Sequence, residues 1–495
     1  MTTPSEESPL ERHLREVLDG ESRSFHMPGH KGGSGAPRRG IELFGTDLYA
    51  IDVSEMGGFD YLHGATSALV RAQADAAEVF GADRTFYLVN GATAGNLAAL
   101  MATTTDESHV LVARGSHRSV YAGLVLSGAT PRYLSPIANT ELDGLFGIDP
   151  ADIERELDAD PSISAVHVTS PSYYGFTIPL EAVLAVTTAR GVPLIVDEAH
   201  GSHFVFNPAF PRPALSLGAD LVVQSPHKTL GSLTQSSLLH LSGSRVDADR
   251  VDQALQMLQS SSPSALLLIS LDLAIAESAA NGLAAWGRAL TYATTVRAAI
   301  SDTGGIHVYG EEIKGTPGIE EFDPTKLVVD VSDLAMSGQA SAAWLKQHWR
   351  INPEFSDLRR IVFSITPGDD DESVELLIDA LGSLGDTEAS TTSRAFASLW
   401  PRESPTLAVT PREGFAAPAE TVALASALSR TVAEMIVPYP PGIPLLVPGE
   451  LVTEGVIETM RQLLAAGCRM VGMADPTGMS LRCLREYEDE DEDVS

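Results

Sequence analysis

The chain has 495 residues, a length that predicts more than one domain and a large core. Its formal net charge of −33 argues against a nucleic-acid-binding protein, because phosphate binding requires clustered lysine and arginine side chains. Only two cysteines, no long apolar run and no basic-then-apolar start favour a cytoplasmic protein over a disulfide-rich, membrane or secreted one.

The N-terminal segment, residues 1–60, is rich in glycine and polar side chains. Its pattern predicts one short helix near residues 10–18 and an ordered, turn-rich loop over residues 24–33. An amphipathic helix is predicted next, over residues 65–80. After the following strand, a Gly-Ala-Thr turn leads into another helix at residues 96–101.

Short apolar runs then alternate with helical stretches, which is the pattern of parallel βαβ units. The predicted strands are residues 85–89, 110–113, 165–169, 193–196 and 221–223. Ligands of such open sheets bind at the carboxyl ends of the strands. The sequence therefore predicts an α/β large domain with a mainly parallel sheet, and a site at that edge of it.

A long helix over residues 263–300 bridges to a second region, where strands are predicted at residues 327–331 and 361–366. This region is predicted to form a smaller C-terminal α+β domain. The predicted division is an N-terminal segment (1–60), a large domain (61–290), a C-terminal region (291–485) with a linker near 384–412, and an acidic tail (486–495).

Polar side chains follow several of the predicted strands. The first strand leads into a turn of small residues around Ala92 and Thr93, where backbone N–H groups at a helix start would hold an anion. The later strands deliver an imidazole, a carboxylate, a hydroxyl and an imidazole–amine pair, namely His117, Asp197, Ser225, His227 and Lys228.

Lys228 is the only lysine between Lys31 and Lys314. Its position just after a buried strand suits an amine that condenses with a carbonyl, although a solvated loop lysine is the plain alternative. With the anion cradle, Asp197 and the ring of His117, the set matches the phosphate, ring nitrogen, ring face and aldehyde of pyridoxal 5′-phosphate (PLP).

The segment Asp197 to His203 admits two other interpretations. Asp-Glu-Ala-His also names a helicase box, but that site requires a Gly-Lys phosphate loop, and the chain contains no Gly-Lys dipeptide. His200 and His203 would ligate a metal with Asp197 only if further ligands completed the set, and none occurs at typical spacing. We therefore predict no metal.

Seven motifs in the same order resemble the Orn/Lys/Arg decarboxylase family of fold-type-I PLP enzymes. They span nearly the whole chain and end in an unusually dense proline run that reaches Glu450. The motifs are residues 25–33, 80–91, 172–175, 196–201, 224–230, 323–327 and 438–450.

The resemblance implies a role for each polar residue of the predicted site. Lys228 would form the Schiff base with PLP, Asp197 would pair with the pyridinium nitrogen, and His117 would stack on the ring. Thr93 and Ser225 would bind the phosphate. Ala92 replaces a hydroxyl residue common in relatives, which leaves a backbone contact there. His200 and His227 would line the reactive face.

The expected reaction is decarboxylation of a basic L-amino acid, arginine first and lysine or ornithine next, within polyamine biosynthesis. The resemblance also implies a homodimer or dimer of dimers without an N-terminal wing domain. Glu434 and Glu450 are candidates for the substrate's cationic end, or else surface or capping residues. Alternative functions are an aminotransferase, a carbon–carbon lyase, or a non-enzymatic regulator that keeps the fold.

Overall fold

The computed structural model describes residues 8–20, 23–388, 405–439, 442–465 and 467–486. The helices are α1 Pro9–Asp19, α2 Arg38–Ile51, α3 Ala68–Phe80, α4 Gly91–Thr103, α5 Arg118–Ser127, α6 Pro150–Ala159, α7 Leu180–Ala189, α8 Ala214–Leu217, α9 Pro226–Thr229, α10 Ala248–Leu258, α11 Ala265–Ile300, α12 Gly338–Trp349, α13 Asp371–Gly385, α14 Pro411–Ala416 and α15 Glu454–Ala465.

In the described part of the chain, the strands form one large sheet, one smaller sheet and three two-stranded ribbons. They are β1 Arg84–Leu88, β2 His109–Ala113, β3 Thr130–Leu134, β4 Ile137–Asn139, β5 Gly144–Phe146, β6 Ile163–Thr169, β7 Leu194–Asp197, β8 Leu221–Gln224, β9 Ser237–Leu241, β10 His307–Val308, β11 Lys326–Asp330, β12 Phe355–Ser356, β13 Arg360–Ser364, β14 Ala419–Ala423, β15 Val437–Tyr439, β16 Arg469–Val471 and β17 Ser480–Leu484.

The large sheet has seven strands in the order β1-β9-β8-β7-β6-β2-β3. The pairs from β8 through β7, β6 and β2 to β3 are parallel, whereas β9 is antiparallel to both of its neighbours. The prediction of a mainly parallel sheet is confirmed. Strand β9 was not predicted. It is antiparallel to its neighbours, so it does not belong to the parallel βαβ pattern on which the strand predictions were based.

Both faces of the large sheet are buried, as parallel sheets require. Alternate residues of β8 show this: Val222 belongs to the cluster under α1, α3 and α11, and Val223 to the cluster under α4, α5 and α10. The same period of two holds in β7, where Val196 faces the first cluster and Ile195 the second. The helices therefore fix where each strand ends, and with it the side chains just beyond.

The smaller sheet is antiparallel, in the order β10-β11-β13-β12, and packs against α12, α13 and the second half of α11. A third cluster lies under α15 and the ribbon β14–β17, around Val456, Met460 and Cys483. This mixture of helices and antiparallel strands agrees with the predicted α+β character. The ribbons of the C-terminal part were not predicted, because their strands are short and mostly half-exposed.

Helix α11 runs for 36 residues without interruption, from Ala265 to Ile300. Its first half packs in the core of the large sheet through Leu268 and Ile275, and its second half packs against the smaller sheet through Trp286. Within the described residues it is long and apolar enough to cross a membrane, yet its buried face gives it the packing of a core helix.

One prediction of local structure is wrong, and two others fall largely outside the described residues. The expectation of a single helix in residues 1–60 is wrong, because α2 forms there; it buries no residue and bends at Gly45, so no apolar periodicity announces it. The predicted linker near 384–412 falls largely on residues 389–404, outside the described part, and its ends lie in α13 and α14. Of the acidic tail, only Glu486 is described.

Candidate active site

The carboxyl ends of β1, β2, β7 and β8 bring the predicted polar residues to one edge of the large sheet. Asp197 is the last residue of β7, and Lys228 lies in the short helix that follows β8. His117 caps α5 after β2, and Thr93 lies in the first turn of α4 after β1. The site is thus assembled by the strand order itself.

The Lys228 amine is fixed by a histidine on the neighbouring strand end. Its Nζ lies 3.0 Å from Nε2 of His200, three residues beyond Asp197. Burial lowers the pKa of Lys228, Asp197 opposes that shift, and the nearby Lys326 adds to it. Burial, followed by the charge of Lys228, holds the pKa of His200 well below its ordinary value. A neutral imidazole therefore faces the amine and can accept a hydrogen bond from it.

Asp197 is buried and anchored on both oxygens. The side-chain amide of Asn96 donates to its Oδ2 over 2.8 Å, and the Ala199 N–H donates to its Oδ1 over 3.1 Å. Asn96 in turn donates to Ser119 and lies 3.3 Å from Nε2 of His167. A carboxylate offers about four acceptor positions, so Asp197 retains capacity for one further cation or N–H donor.

His117 presents a neutral ring beside this carboxylate. Its Nδ1 lies 2.8 Å from the Ser119 hydroxyl, which holds the ring at the N-cap of α5. Burial lowers the pKa of His117 to about 4, while Asp197 pulls in the opposite direction. A neutral, oriented imidazole is suited to stacking on a flat aromatic ligand.

The first turn of α4 forms the predicted anion cradle. Gly95 packs so closely on β8 that a Cβ there would lie 2.9 Å from Cγ1 of Val223, which brings the helix start to the end of that strand. Thr93 is exposed, and Ser225 is buried with its hydroxyl 3.5 Å from that of Ser237. First-turn N–H groups, which include that of Ala92, lack partners within a helix and point at this edge.

His227 lies beside Lys228 but has its own partner. Its Nδ1 donates to the Ser236 carbonyl over 2.7 Å, so Nε2 carries no proton in the neutral ring. Burial lowers its pKa, which favours that neutral form. The adjoining Gln235 adopts a positive φ of 90° and its carbonyl accepts from the Gly91 N–H, which ties this loop to the start of α4.

His203 has different neighbours from His200, although only two residues separate them. Its Nε2 lies 3.1 Å from Oδ2 of Asp323, and its ring stacks on Trp286 at a centroid distance of 4.2 Å. Both members of the His203–Asp323 pair are 1% exposed. His203 therefore links the loop after β7 to the segment before β11, rather than joining Asp197.

The two glutamates considered for the substrate's cationic end contact other groups of the protein. Glu450 is fully buried and lies 3.0 Å from Nη2 of Arg114, which also donates to the Pro444 carbonyl. Glu434 accepts the backbone N–H groups of Ala474 and Arg482. Both carboxylates are buried and contact other protein groups, so neither is the surface residue of the alternative prediction, and their assignment to the substrate stays a prediction.

A cavity of about 150 Å³ lies beside the site, beyond the ends of β2 and β6. Phe146, Val168 and Ile178 line it together with Tyr173, whose ring centroid is 5.1 Å from that of His200. Its lining does not include Lys228, so we assign it no part in the chemistry.

Sequence reasoning missed the residues that hold the site together. Asn96 was placed only as the start of a helix, although a polar residue on a buried helix face is a usable signal. Lys326 was noted only inside a motif, yet it is 5% exposed and donates to the Ser364 hydroxyl over 2.6 Å. The contact of Lys326 with a neighbouring strand carries no local pattern, so that residue was not predictable from the sequence.

Comparison with known proteins identifies the family. The model of the Orn/Lys/Arg decarboxylase major domain matches residues 8–373, and that of the family's C-terminal domain matches residues 390–475. The chain belongs to the Orn/Lys/Arg decarboxylase family. The predicted family is confirmed.

Individual relatives of this decarboxylase are similar over nearly their whole length. The arginine decarboxylase of Halalkalibacterium halodurans is 37% identical, over 94% of this chain and 95% of the relative. The arginine decarboxylase of Bacillus subtilis is 35% identical, over 97% and 99%. The solved lysine decarboxylase LdcF of Francisella novicida superposes with a TM-score of 0.80 at 21% identity, over 97% of this chain and 81% of that one. That likeness confirms the predicted fold class.

Proposed function

We propose that this decarboxylase converts L-arginine to agmatine and CO2 with PLP as cofactor, lysine and ornithine being the next candidates. The observation that carries the proposal is the Lys228 amine, held 3.0 Å from a neutral His200 and one strand away from the buried Asp197. Full-length similarity to two arginine decarboxylases favours arginine among the basic amino acids.

The donor set at the strand ends fits PLP. The α4 start, Thr93 and the Ser225 hydroxyl would hold its phosphate, and the neutral ring of His117 would cover its aromatic face. Asp197, with an acceptor position left over, would hold a proton at the ring nitrogen. When bound, PLP supplies a carbonyl that condenses with amines and a ring that accepts the electron pair released as CO2 leaves.

Each side chain then has a task set by its environment. Lys228, with its pKa lowered by burial, presents an amine that sheds its proton readily. Nε2 of the neutral His200, 3.0 Å away, accepts a hydrogen bond from that amine and fixes its direction. The Tyr173 ring packs against that of His200 at a centroid distance of 5.1 Å. His227 fixes the Lys228 helix through the Ser236 carbonyl.

A net charge of −33 is compatible with a cationic substrate, but a broadly acidic surface more often serves solubility or salt tolerance. We further propose a cytoplasmic enzyme of polyamine biosynthesis that assembles as a homodimer or dimer of dimers. Gel filtration with light scattering tests the assembly, and a mass near ten subunits would contradict it.

The deciding experiment measures labelled CO2 release from L-arginine, L-lysine and L-ornithine, with the amine product identified. We expect release from arginine, and its loss in Lys228→Ala together with the borohydride-trapped cofactor adduct. Lys346→Ala, an exposed lysine of α12, is the matched control and should remain active. Consumption of a keto acid without CO2 release would instead identify an aminotransferase, and a missing adduct in the wild type would identify a non-enzymatic protein.

A further inference from the structure

The cavity beyond the ends of β2 and β6 is lined by buried donors that the chemistry at Lys228 does not use. Two arginines of its wall, Arg114 and Arg360, are each only 4% exposed. Among the described residues, Nε of Arg114 and both Nε and Nη2 of Arg360 have no hydrogen-bond partner. The Thr169 hydroxyl and Nε of Arg359, in the same wall, lack partners too. Buried polar atoms are normally hydrogen-bonded, so unpartnered donors on four residues around one cavity require an acceptor.

The carboxylates near these arginines already have other donors. Asp357 accepts from the backbone N–H of Arg360 over 2.7 Å, whereas Nη1 of Arg360 reaches it only at 3.4 Å. Asp143 pairs with Nη1 of Arg359 over 2.5 Å, and the third arginine of the wall pairs with Glu450. Each guanidinium thus has one carboxylate neighbour and still has donors to spare. This balance suits a singly charged anion better than a polyphosphate.

The rings around Arg360 hold its charge without satisfying its donors. Its guanidinium carbon lies 5.8 Å from the ring centroid of Phe146 and 6.0 Å from those of Tyr174 and Tyr309. Burial lowers the pKa of Arg360, but the charge of Asp357 raises it further, so the guanidinium stays protonated. Aromatic faces attract a cation but do not replace the oxygen acceptors that its N–H groups require.

The rest of the wall is apolar, and the cavity has the size of one small ring. Its volume is about 150 Å³, comparable with that of a protein cavity that holds benzene. Phe146, Val168, Phe176 and Ile178 contribute the apolar surface. Water would satisfy the donors but would leave these side chains wet, whereas a carboxylate on an apolar body satisfies both. A carboxylate also accepts two parallel N–H bonds from one guanidinium.

We propose that this cavity binds a small apolar carboxylate of about the size of benzoate, with Arg360 and Thr169 donating to its oxygens. An amino acid is a poorer fit, since the described wall has no unpartnered buried carboxylate for its ammonium group. The ligand enters beside the Asp143–Arg359 ion pair, because the Asp143 side chain is 58% exposed while Arg360 is buried.

The proposed ligand lies next to the reacting groups but outside them. Lys228 is not part of the cavity wall, whereas Tyr173 is, and the Tyr173 ring packs against His200. The bound carboxylate is therefore one side chain away from the histidine that faces the amine. The proposal does not depend on which reaction the enzyme carries out.

The test measures binding of sodium benzoate to the holoenzyme by calorimetry. Arg360→Lys keeps the charge and removes the planar donors, and Thr169→Val keeps the shape and removes the hydroxyl. Arg155→Lys and Thr294→Val make the same changes at exposed positions of α6 and α11. Losing a hydrogen bond to a charged group should raise the Kd about 10-fold or more in Arg360→Lys and about 5-fold or more in Thr169→Val. Both control variants should keep the wild-type Kd.

Two other ligands test the chemical class. Benzamide has the shape of benzoate without its charge, and inorganic phosphate has a charge without the ring, so each should bind at least about 10-fold more weakly. A wild type that binds no benzoate would overturn the proposal, as would an equal Kd in the wild type and Thr169→Val, a variant that decides alone if Arg360→Lys does not fold. Benzamide or phosphate binding as tightly as benzoate would overturn it as well.

Discussion

Asn96 offers the sharpest test of how the site is held together. The change Asn96→Leu keeps the volume and the helix but removes the amide that donates to Asp197 over 2.8 Å. A hydrogen bond to a charged group is worth about 1.5–3 kcal/mol. The same change leaves Nε2 of His167 buried without its partner, at a further cost of about 1–3 kcal/mol. We expect a loss of about 3–5 kcal/mol in the free energy of unfolding.

The assay is urea unfolding of the cofactor-free protein, followed by tryptophan fluorescence. The midpoint should fall with an unchanged slope, because the change removes stability without altering the surface exposed on unfolding. Asn281→Leu is the matched control, since Asn281 lies exposed in α11 and donates only to Glu277. The Asn96 variant should also lose PLP faster on dialysis. A midpoint equal to that of Asn281→Leu would refute the network described around Asp197.

Two further predictions follow from buried glutamates. Glu450→Gln leaves the Arg114 guanidinium buried without a counter-charge and should lower the free energy of unfolding by about 3 kcal/mol. The KM for arginine should stay unchanged. A raised KM would instead indicate that Glu450 contacts the substrate. Burial raises the pKa of Glu198 to about 7, above its unfolded value of 4.5. The folded state thus keeps a proton that the unfolded chain releases, so stability falls as pH rises from about 4.5 to 7. In Glu198→Gln, the thermal midpoint should fall less between pH 5 and 8 than it does in the wild type. An equal fall in both proteins would contradict the raised pKa of Glu198.

The sequence allowed the large sheet to be predicted because its strands are short apolar runs with both faces buried. Residues 165–169 and 221–223 were recognisable for that reason, and they appear within β6 and β8. Helix α2 has no buried residue, so its sequence shows no hydrophobic periodicity from which a helix could be predicted. The strands of the C-terminal ribbons alternate weakly, because they pack only one half-exposed face.

Some residues of the candidate site could likewise be predicted from the sequence, and others could not. Thr93, His117, Asp197 and Lys228 were predictable, because each follows a strand whose end had been located. Their roles toward PLP remain proposals. The contact between Glu450 and Arg114 was not predictable, because an acidic residue in a proline-rich motif gives no sign of a buried arginine nearby.

The length of α11 has a consequence for how this enzyme tolerates change. Its 36 residues make a rod of about 54 Å, with one end packed on the large sheet and the other on the smaller sheet. The helix therefore sets the relative position of the two sheets. Inserting one residue midway would turn the distal half by about 100° and advance it by about 1.5 Å. The relative position of the two sheets therefore depends on the length of one helix.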